Sequence, residues 1–238
     1  MSEPDLAAPA LAVTDLAVRY GDAEVLHGVC LTAQPGQIVG VAGANGAGKS
    51  TLLRALSGNL KPRSGKVLLF GEDLTGKPTH AVASRGMVHV PEGRGIFSSL
   101  SVADNLLAGA IGKNRLGLDE ILEIFPHLQP RLKQIAGNLS GGEQQMVAIG
   151  RGLISHPRVV LIDELSLGLA PMLTVDLYDK LVAYASANDC TMVLVDQNLD
   201  LLRQYCDRIT ILRAGAVWLE QGASDFGDDR QAVEAYLS

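Results

Sequence analysis

The sequence predicts an α/β fold with a mostly parallel sheet, an N-terminal antiparallel β subdomain and an inserted α-helical subdomain. Three observations predict it. A glycine-rich loop joins an apolar strand to a helix within residues 38–57, strands alternate with helices from residue 158 onward, and residues 91–157 carry helical signals without a convincing strand. Strands separated by helices of this length form parallel sheets that are covered on both faces.

The same observations predict the domain organisation. We expect a loose tail over residues 1–10 and a single domain over residues 11–238. Its core, residues 11–90 and 158–238, is interrupted by the helical insertion at about 91–157.

Composition narrows the classes of function. The 238 residues carry a formal net charge of −6, which argues against nucleic acid as the main partner because phosphate backbones favour clustered Lys and Arg. No run approaches the roughly 18–20 apolar residues of a membrane span, and the N-terminus lacks the pattern of a signal peptide. Cys30, Cys190 and Cys206 lack metal-ligand spacing, so we expect three buried thiols in a reducing cytoplasm.

The N-terminal segment predicts antiparallel strands. Alternating apolar residues predict strands at 11–20 and 25–32, joined by a turn at 21–22, and a further turn leads into the buried strand 38–42. Tyr20 ends the first strand, where its ring either stacks on a nucleotide base or is an ordinary tyrosine at a strand end.

The loop after residue 42 is a phosphate-binding motif of the form G-x-x-x-x-G-K-[ST]. Glycines let successive backbone N–H groups surround an anion, and the helix that follows adds its positive end. We expect Lys49 to reach the β- and γ-phosphates and Ser50 to ligate Mg²⁺. The residues expected to bind the nucleotide triphosphate here are Gly43, Ala44, Asn45, Gly46, Ala47, Gly48, Lys49, Ser50 and Thr51.

The remaining elements are predicted from apolar runs and from the capping, Gly and Pro residues that bound them. Strands are predicted at 66–70, 86–90, 158–162, 190–195, 208–212 and 216–219. Helices are predicted at 51–57, 78–84, 101–107, 119–125, 141–155, 175–186, 199–205 and 229–237.

Two carboxylates follow the buried strand at 158–162. Acidic side chains at the carboxyl end of such a strand lie where α/β proteins bind ligands, so Asp163 is placed to share the Mg²⁺ shell with Ser50. Glu164 is placed to act as a general base on the attacking water. The alternative is a solvated acidic pair at the start of a loop.

The segment before the helix at 141–155 has two interpretations. Ser140 and Glu143 have the spacing of a capping box, which is purely structural. Gly141 and Gly142 favour a second anion site at this helix N-terminus. Because one nucleotide has one γ-phosphate, two chains arranged head to tail would each offer this helix to the nucleotide of the other.

In this order and spacing, the phosphate loop, the segment 139–145 and the strand ending in Asp163-Glu164 resemble the nucleotide-binding subunit of an ABC transporter. Residues 90–94, 140–146 and 166–171, together with Gln197-Asn198, are similar to the smaller ATPase subunit of bacterial importers for branched-chain, hydrophobic amino acids. The signature residues expected to act on the partner's nucleotide are Leu139, Ser140, Gly141, Gly142, Glu143 and Gln144.

The resemblance implies further roles. Tyr20 would stack on the base, Glu92 stands where most transporter ATPases have a glutamine that senses Mg²⁺ and contacts the permease, and Gln197 stands at the switch histidine. Glu92 and Gln197 suit the subfamily, as does Ala170 in place of the usual interface aspartate, whereas Leu165 in place of a proline does not. Together they put rapid hydrolysis by a homodimer in question.

The resemblance also implies the assembly. It predicts a peripheral ATPase on the cytoplasmic face of the inner membrane that binds ATP and Mg²⁺. Its partners would be a second ABC ATPase subunit, membrane permeases and, indirectly, a periplasmic substrate-binding protein. The alternatives are the ATPase of a urea or short-amide importer, and a slowly hydrolysing subunit that responds to nucleotide while its partner turns over. A DNA- or ribosome-acting ABC ATPase is disfavoured by the single cassette without basic extensions, and a P-loop kinase would not explain the segment 139–146.

Overall fold

The computed structural model describes residues 8–110 and 115–226, so the helix predicted at 229–237 lies outside the described residues. One sheet is antiparallel throughout. Its strands are β1 (Leu11–Tyr20), β2 (Ala23–Ala33), β4 (Ser64–Leu69) and the two-residue β5 (Glu72–Asp73), in the order β2-β1-β4-β5.

The second sheet has six strands and is mostly parallel. Its members are β3 (Ile38–Ala42), β6 (Met87–Val90), β7 (Val159–Asp163), β8 (Thr191–Val195), β9 (Arg208–Arg213) and β10 (Ala216–Gly222). The order is β10-β9-β3-β8-β7-β6, and each neighbouring pair is parallel except β10 with β9.

Helices cover this second sheet and form the insertion between β6 and β7. They are α1 (Lys49–Leu56), α2 (Thr79–Ser84), α3 (Val102–Leu107), α4 (Leu118–Ile124), α5 (Gly141–Leu153), α6 (Pro171–Asn188) and α7 (Leu199–Tyr205). Short 3-10 turns lie at Pro126–Arg131, Ala136–Asn138 and Ala223–Asp225.

The parallel sheet separates two hydrophobic cores. Val159 and Leu161 of β7 point into a core shared with α1 and the antiparallel sheet. Val160 and Ile162 point to the opposite side, into a core shared with α5, α6, α7 and the insertion. Because successive side chains of a strand face opposite ways, an uninterrupted apolar strand is the expected result of a sheet buried on both faces.

Several sequence predictions are confirmed. The strand bounds 11–20 and 38–42 and the helix 199–205 agree with the structure, and the capped helix after Ser101 is present, with the Ser101 hydroxyl accepting a hydrogen bond from the Asp104 backbone.

Other predictions were wrong in detail. α6 begins at Pro171, four residues before the predicted start, because a proline at the first helical position needs no N–H partner and its φ is already helical. β5 was not predicted. Cys190 and Cys206 are buried as expected, but Cys30 is exposed, since its side chain lies on the outer face of β2.

Within residues 8–110 and 115–226, no helix combines the length and the apolar character that crossing a membrane requires.

Candidate active site

Four neighbouring strands of the parallel sheet end at the same edge. The pairs Val41↔Val195, Asp163↔Val195 and Val90↔Ile162 show that β3, β8, β7 and β6 finish nearly level. The residues that follow these strands are therefore brought together: the phosphate loop after β3, Asp196 and Gln197 after β8, Asp163 and Glu164 at the end of β7, and Glu92 after β6. Ligands of α/β proteins bind at this edge.

Glycine is required in the phosphate loop for two separate reasons. Gly46 has φ +80° and open space where a Cβ would stand, so its backbone conformation alone favours glycine. Gly48 has φ +106°, and a Cβ there would lie 2.6 Å from Leu26 Cδ2, which is too close for two carbon atoms. The loop is thereby held against β2 while its interior stays open to an anion.

Lys49 lies inside the loop that it is expected to serve. Its Nζ donates hydrogen bonds to the backbone oxygens of Gly43 (2.8 Å) and Ala44 (3.2 Å) and lies 3.9 Å from Glu164 Oε1. Burial lowers the pKa of Lys49, and the carboxylates of Glu164 and Asp163 oppose that shift. The ammonium is thus a buried donor that two backbone oxygens hold inside the loop.

Ser50 and Asp163 fit a magnesium ion. Asp163 is 2% exposed, and its Oδ1 has no hydrogen-bond partner among the described residues. Burial raises the pKa of Asp163, a shift that a hydrogen bond from Ser50 opposes. Unpaired buried oxygens are costly, and hard oxygen ligands are those that Mg²⁺ prefers. The described residues contain no cluster of three or more His, Cys, Asp or Glu that could hold a metal ion.

Glu164 and Gln197 are joined directly. Gln197 Nε2 donates to Glu164 Oε1 (2.9 Å) and to Asn45 Oδ1 (2.9 Å), so one amide bridges the acid to the phosphate loop. Glu164 has φ +50°, an uncommon conformation for a residue with a side chain. Its backbone N–H donates a hydrogen bond to the backbone oxygen of Val195 (2.9 Å).

These groups surround a cavity of about 500 Å³. Its polar lining consists of Asn45, Lys49, Ser50, Thr51, Glu92, Glu164 and Gln197. Tyr20 is 44% exposed at the end of β1 and is not among the lining residues, so its stacking role remains a prediction. The signature residues 139–144 do not line this cavity either.

The capping box predicted at the start of α5 is present. The Ser140 hydroxyl accepts from the Glu143 N–H (3.4 Å), and Glu143 Oε2 accepts from the Ser140 N–H (2.9 Å). The two glycines also have a packing reason that the sequence argument did not foresee. A Cβ on Gly142 would lie 1.9 Å from Leu173 Cδ2, and one on Gly141 would lie 2.8 Å from Arg94 Nη2.

Arg94 and Gln144 serve the fold around this helix start. Arg94 Nη1 donates to Gln144 Oε1 (3.0 Å), while Gln144 Nε2 donates to the backbone oxygen of Leu139 (3.2 Å). The amide of Gln144 is thus engaged within its own chain on both its oxygen and its nitrogen.

The family described as ABC transporter matches residues 26–166 of the chain, which include the phosphate loop, the signature segment and Glu164. The chain belongs to this family. The branched-chain amino acid transport ATP-binding protein BraG of Pseudomonas aeruginosa is 37% identical over 95% of this chain and 99% of its own length. The probable LivF of Archaeoglobus fulgidus is 31% identical (87% and 89%), and the lipopolysaccharide export protein LptB of Haemophilus influenzae is 32% identical (95% and 96%).

Solved ABC cassettes have the same fold. A nucleotide-free ATP-binding cassette of an ABC transporter superposes with a TM-score of 0.84 at 25% identity, covering 97% of this chain and 99% of that one. The ADP conformation of the cassette MJ1267 superposes with a TM-score of 0.83 at 26% identity over the same shares. The chain is therefore an ABC-type ATPase subunit that binds ATP.

Sequence reasoning missed one residue of this ABC site. Asp196 follows the buried strand β8 just as Asp163 ends β7, and it is 1% exposed at the same sheet edge. The rule that selected Asp163 would have selected it as well.

Proposed function

We propose that this ABC subunit hydrolyses MgATP in a head-to-tail dimer and thereby drives the uptake of branched-chain amino acids through membrane permeases. The observation that supports hydrolysis best is the contact between Gln197 Nε2 and Glu164 Oε1, beside the phosphate loop. It orients a carboxylate toward the cavity that Lys49 also lines. A carboxylate positioned in this way can accept a proton from an attacking water.

Each remaining polar group has a part in this proposal. Lys49 and the loop N–H groups bind the phosphates, and Ser50, Asp163 and Glu92 hold the metal directly or through water. A bound Mg²⁺ supplies positive charge to the phosphate oxygens. Gln197 keeps Glu164 in place and, as a neutral amide, donates hydrogen bonds without carrying charge. Tyr20 stacks on the base at the outer end of the site.

The head-to-tail dimer rests on the position of the signature. Residues 139–144 do not line the cavity of their own chain, yet Ser140 caps a thirteen-residue helix that begins with Gly141 and Gly142 and whose N–H groups can bind an anion. A second ABC ATPase subunit, identical or homologous, would bring this helix to the γ-phosphate. Closing the site in this way excludes water other than the attacking one.

The permease contact is proposed at a groove between the core and the insertion. The groove has a volume of about 410 Å³. Its lining includes His89 of β6, Phe97 of the loop between β6 and α3, and Arg151 of α5. Phe97 is 50% exposed, and the Arg151 guanidinium lies 5.1 Å from the centre of its ring. An exposed aromatic ring beside a half-buried cation is a suitable anchor for a partner helix.

The transported substrate is supported by similarity alone. BraG and LivF are named for branched-chain amino acid transport, whereas LptB is named for lipopolysaccharide export. BraG is the most similar of the three at 37% identity, so we assign uptake of branched-chain amino acids. On this assignment the subunit lies on the cytoplasmic face of the inner membrane, supplied by a periplasmic binding protein. A urea or short-amide importer is the runner-up, and leucine uptake in cells lacking this chain distinguishes the two.

The substitution Glu164→Gln tests the hydrolytic proposal. We expect it to keep ATP affinity within about twofold while lowering kcat by about 100-fold or more, since the side chain keeps its shape but no longer accepts a proton. Light scattering after size-exclusion chromatography should then show a dimer that forms only with MgATP. A wild-type rate equal to that of Glu164→Gln would instead indicate a nucleotide-responsive subunit whose partner performs turnover.

The substitution Phe97→Ala tests the permease contact. We expect it to weaken recruitment of the subunit by co-expressed permeases at least about tenfold, as removal of a central aromatic anchor does, without changing ATP affinity. Trp218→Ala on β10 is the matched control, because Trp218 is exposed to a similar degree (41%) but does not line the groove. Arg94 is a poorer test since its side chain supports the start of α5. Equal recruitment of both variants would contradict the placement.

A further inference from the structure

Asp196 is a buried carboxylate that receives four hydrogen bonds. It is 1% exposed. Oδ1 accepts from the Ser166 hydroxyl (2.7 Å) and the Asn198 N–H (2.9 Å), and Oδ2 accepts from the Ser166 N–H (3.1 Å) and the Tyr178 hydroxyl (2.9 Å). A buried carboxylate is costly unless it is fully hydrogen-bonded, and here each oxygen has one backbone and one hydroxyl donor.

Two of the residues that donate these hydrogen bonds lie next to Glu164 and Gln197 in the sequence. Ser166 lies two residues after Glu164, and Asn198 directly follows Gln197. The Glu164 N–H is fixed on the carbonyl of Val195, the residue immediately before Asp196. The backbones that carry Glu164 and Gln197 are thus both fixed at the end of β8, by its last residue, Val195, and by Asp196, which follows it.

A third donor comes from the helix that follows the loop. Tyr178 of α6 is fully buried and stacks on Tyr205 of α7, with ring centroids 4.8 Å apart. Burial raises the pKa of Tyr178, and the Asp196 carboxylate raises it further, so its hydroxyl stays protonated as a donor. This contact supports the carboxylate from the packed interior and touches neither Glu164 nor Gln197.

We propose that Asp196 is the positioning residue for hydrolysis, joining the loop after Glu164 to the turn that carries Gln197 so that the Gln197 amide remains on the Glu164 carboxylate. The inference rests on the proposed function, because it assigns hydrolysis to Glu164. It adds that the distance between Glu164 and Gln197 is set by one residue that contacts neither side chain.

The substitution Asp196→Asn is a sharp test because of the donor pattern. An amide has one oxygen and one NH₂ group, and in either orientation its NH₂ would face a backbone N–H, of Ser166 or of Asn198. One of the two loops must therefore detach. Ser166→Ala removes a single hydroxyl contact and serves as the milder variant if Asp196→Asn folds poorly. Tyr178→Phe removes one hydrogen bond to the same carboxylate from the interior side and is the matched control.

We expect the ATPase of the full chain to separate these variants. Asp196→Asn should lower kcat about tenfold or more and Ser166→Ala about threefold, each with the KM for ATP within about threefold. Tyr178→Phe should lower the melting temperature but keep kcat within about twofold. In a Gln197→Ala background, Asp196→Asn should lower kcat by less than a further twofold or so, because residues that act through one another are not additive.

Three results would overturn the inference: a wild-type kcat in both Asp196→Asn and Ser166→Ala, an equal loss of kcat in Tyr178→Phe, or a fully multiplicative loss in the Gln197→Ala background. An equal loss in Tyr178→Phe would mean that Asp196 only stabilises the fold, and a fully multiplicative loss would mean that Asp196 does not act through Gln197. A wild-type rate no higher than that of Glu164→Gln would contradict the proposed function itself, and the inference would fall with it.

Discussion

At the scale of single residues, the amide of Gln197 links two parts of the site without carrying charge. Its Nε2 donates to both Asn45 and Glu164. An amide keeps its N–H groups at every physiological pH, whereas an imidazole must be protonated to donate from both nitrogens. The contact between Gln197 and Glu164 therefore does not depend on a titration of residue 197.

His89 carries a pH dependence of stability. Burial and the nearby Arg54 lower its pKa from 6.5 to about 4, and its Nε2 has no partner among the described residues. Below pH 6.5 the unfolded chain gains a proton at this position that the folded chain does not accept until about pH 4. We expect the free energy of unfolding to fall by up to about 1.4 kcal/mol for each unit by which the pH is lowered within this window.

Denaturant unfolding at pH 7 and pH 5 measures this contribution. A His89→Gln variant should lose less stability than the wild type between the two values, because it has no imidazole to protonate. His80→Gln, on the exposed surface of α2, is the control for the change from histidine to glutamine itself. Equal pH dependence of the wild type and His89→Gln would show that His89 is protonated in the folded chain.

At the scale of elements, α3 is held against α5 by a close backbone approach. A Cβ on Gly109, just after α3, would lie 1.9 Å from the backbone oxygen of Arg151. We expect Gly109→Ala to push the two helices apart and to lower the free energy of unfolding by about 1–3 kcal/mol, the usual cost of overpacking. Thermal or urea unfolding measures it.

Gly117→Ala is the matched control for this substitution. Gly117 has a negative φ of −74°, and the nearest atom to its added Cβ would be Glu120 Oε2 at 3.4 Å. It precedes α4 as the N-cap residue, where the change from glycine costs a fraction of the Gly109 effect. Similar losses in both variants would show that the approach of α3 to Arg151 is not tight.

The strands, the glycine loop and the positions of Asp163 and Glu164 could be predicted because each depends on a local pattern. The alternation of strands and helices predicted the parallel sheet. A helix between two strands can carry the chain back across the sheet, so that the second strand runs in the same direction as the first. The start of α6 at Pro171 was missed because residues 171–174 lack an apolar period, and β5 was missed because two residues form no pattern.

Contacts between distant segments could not be predicted. Leu173 packs closely against Gly142, and the importance of Asp196 arises from Ser166 and Tyr178, which are 30 and 18 residues away. Only the fold brings these residues together. The exposure of Cys30 likewise depends on which face of β2 is covered, and alternation alone does not settle that.

At the scale of the whole molecule, the proposed site is completed by a second chain. Mixing two variants that are each inactive tests this arrangement. We expect Lys49→Ala and Ser140→Asp each to abolish ATPase activity alone. Aspartate still caps a helix, but its charge repels a phosphate. A mixture of the two variants contains dimers with one intact site, formed by Lys49 of one chain and Ser140 of the other, so part of the activity should return.

The recovery should approach a quarter of the wild-type rate with random pairing, since about half of the dimers would be mixed and each would have one working site of two. A Lys49→Ala, Ser140→Asp double variant mixed with either single variant is the control and should restore nothing. An inactive mixture of the two single variants would contradict the head-to-tail arrangement.

Lys49 makes nucleotide binding a substitution rather than a simple addition. Two of the three N–H groups of its ammonium already bind the carbonyl oxygens of Gly43 and Ala44, so a phosphate that takes one of these donors replaces a contact that the lysine has already made. The affinity for nucleotide is therefore the difference between two occupied states of the same lysine, and it understates the strength of the phosphate contact.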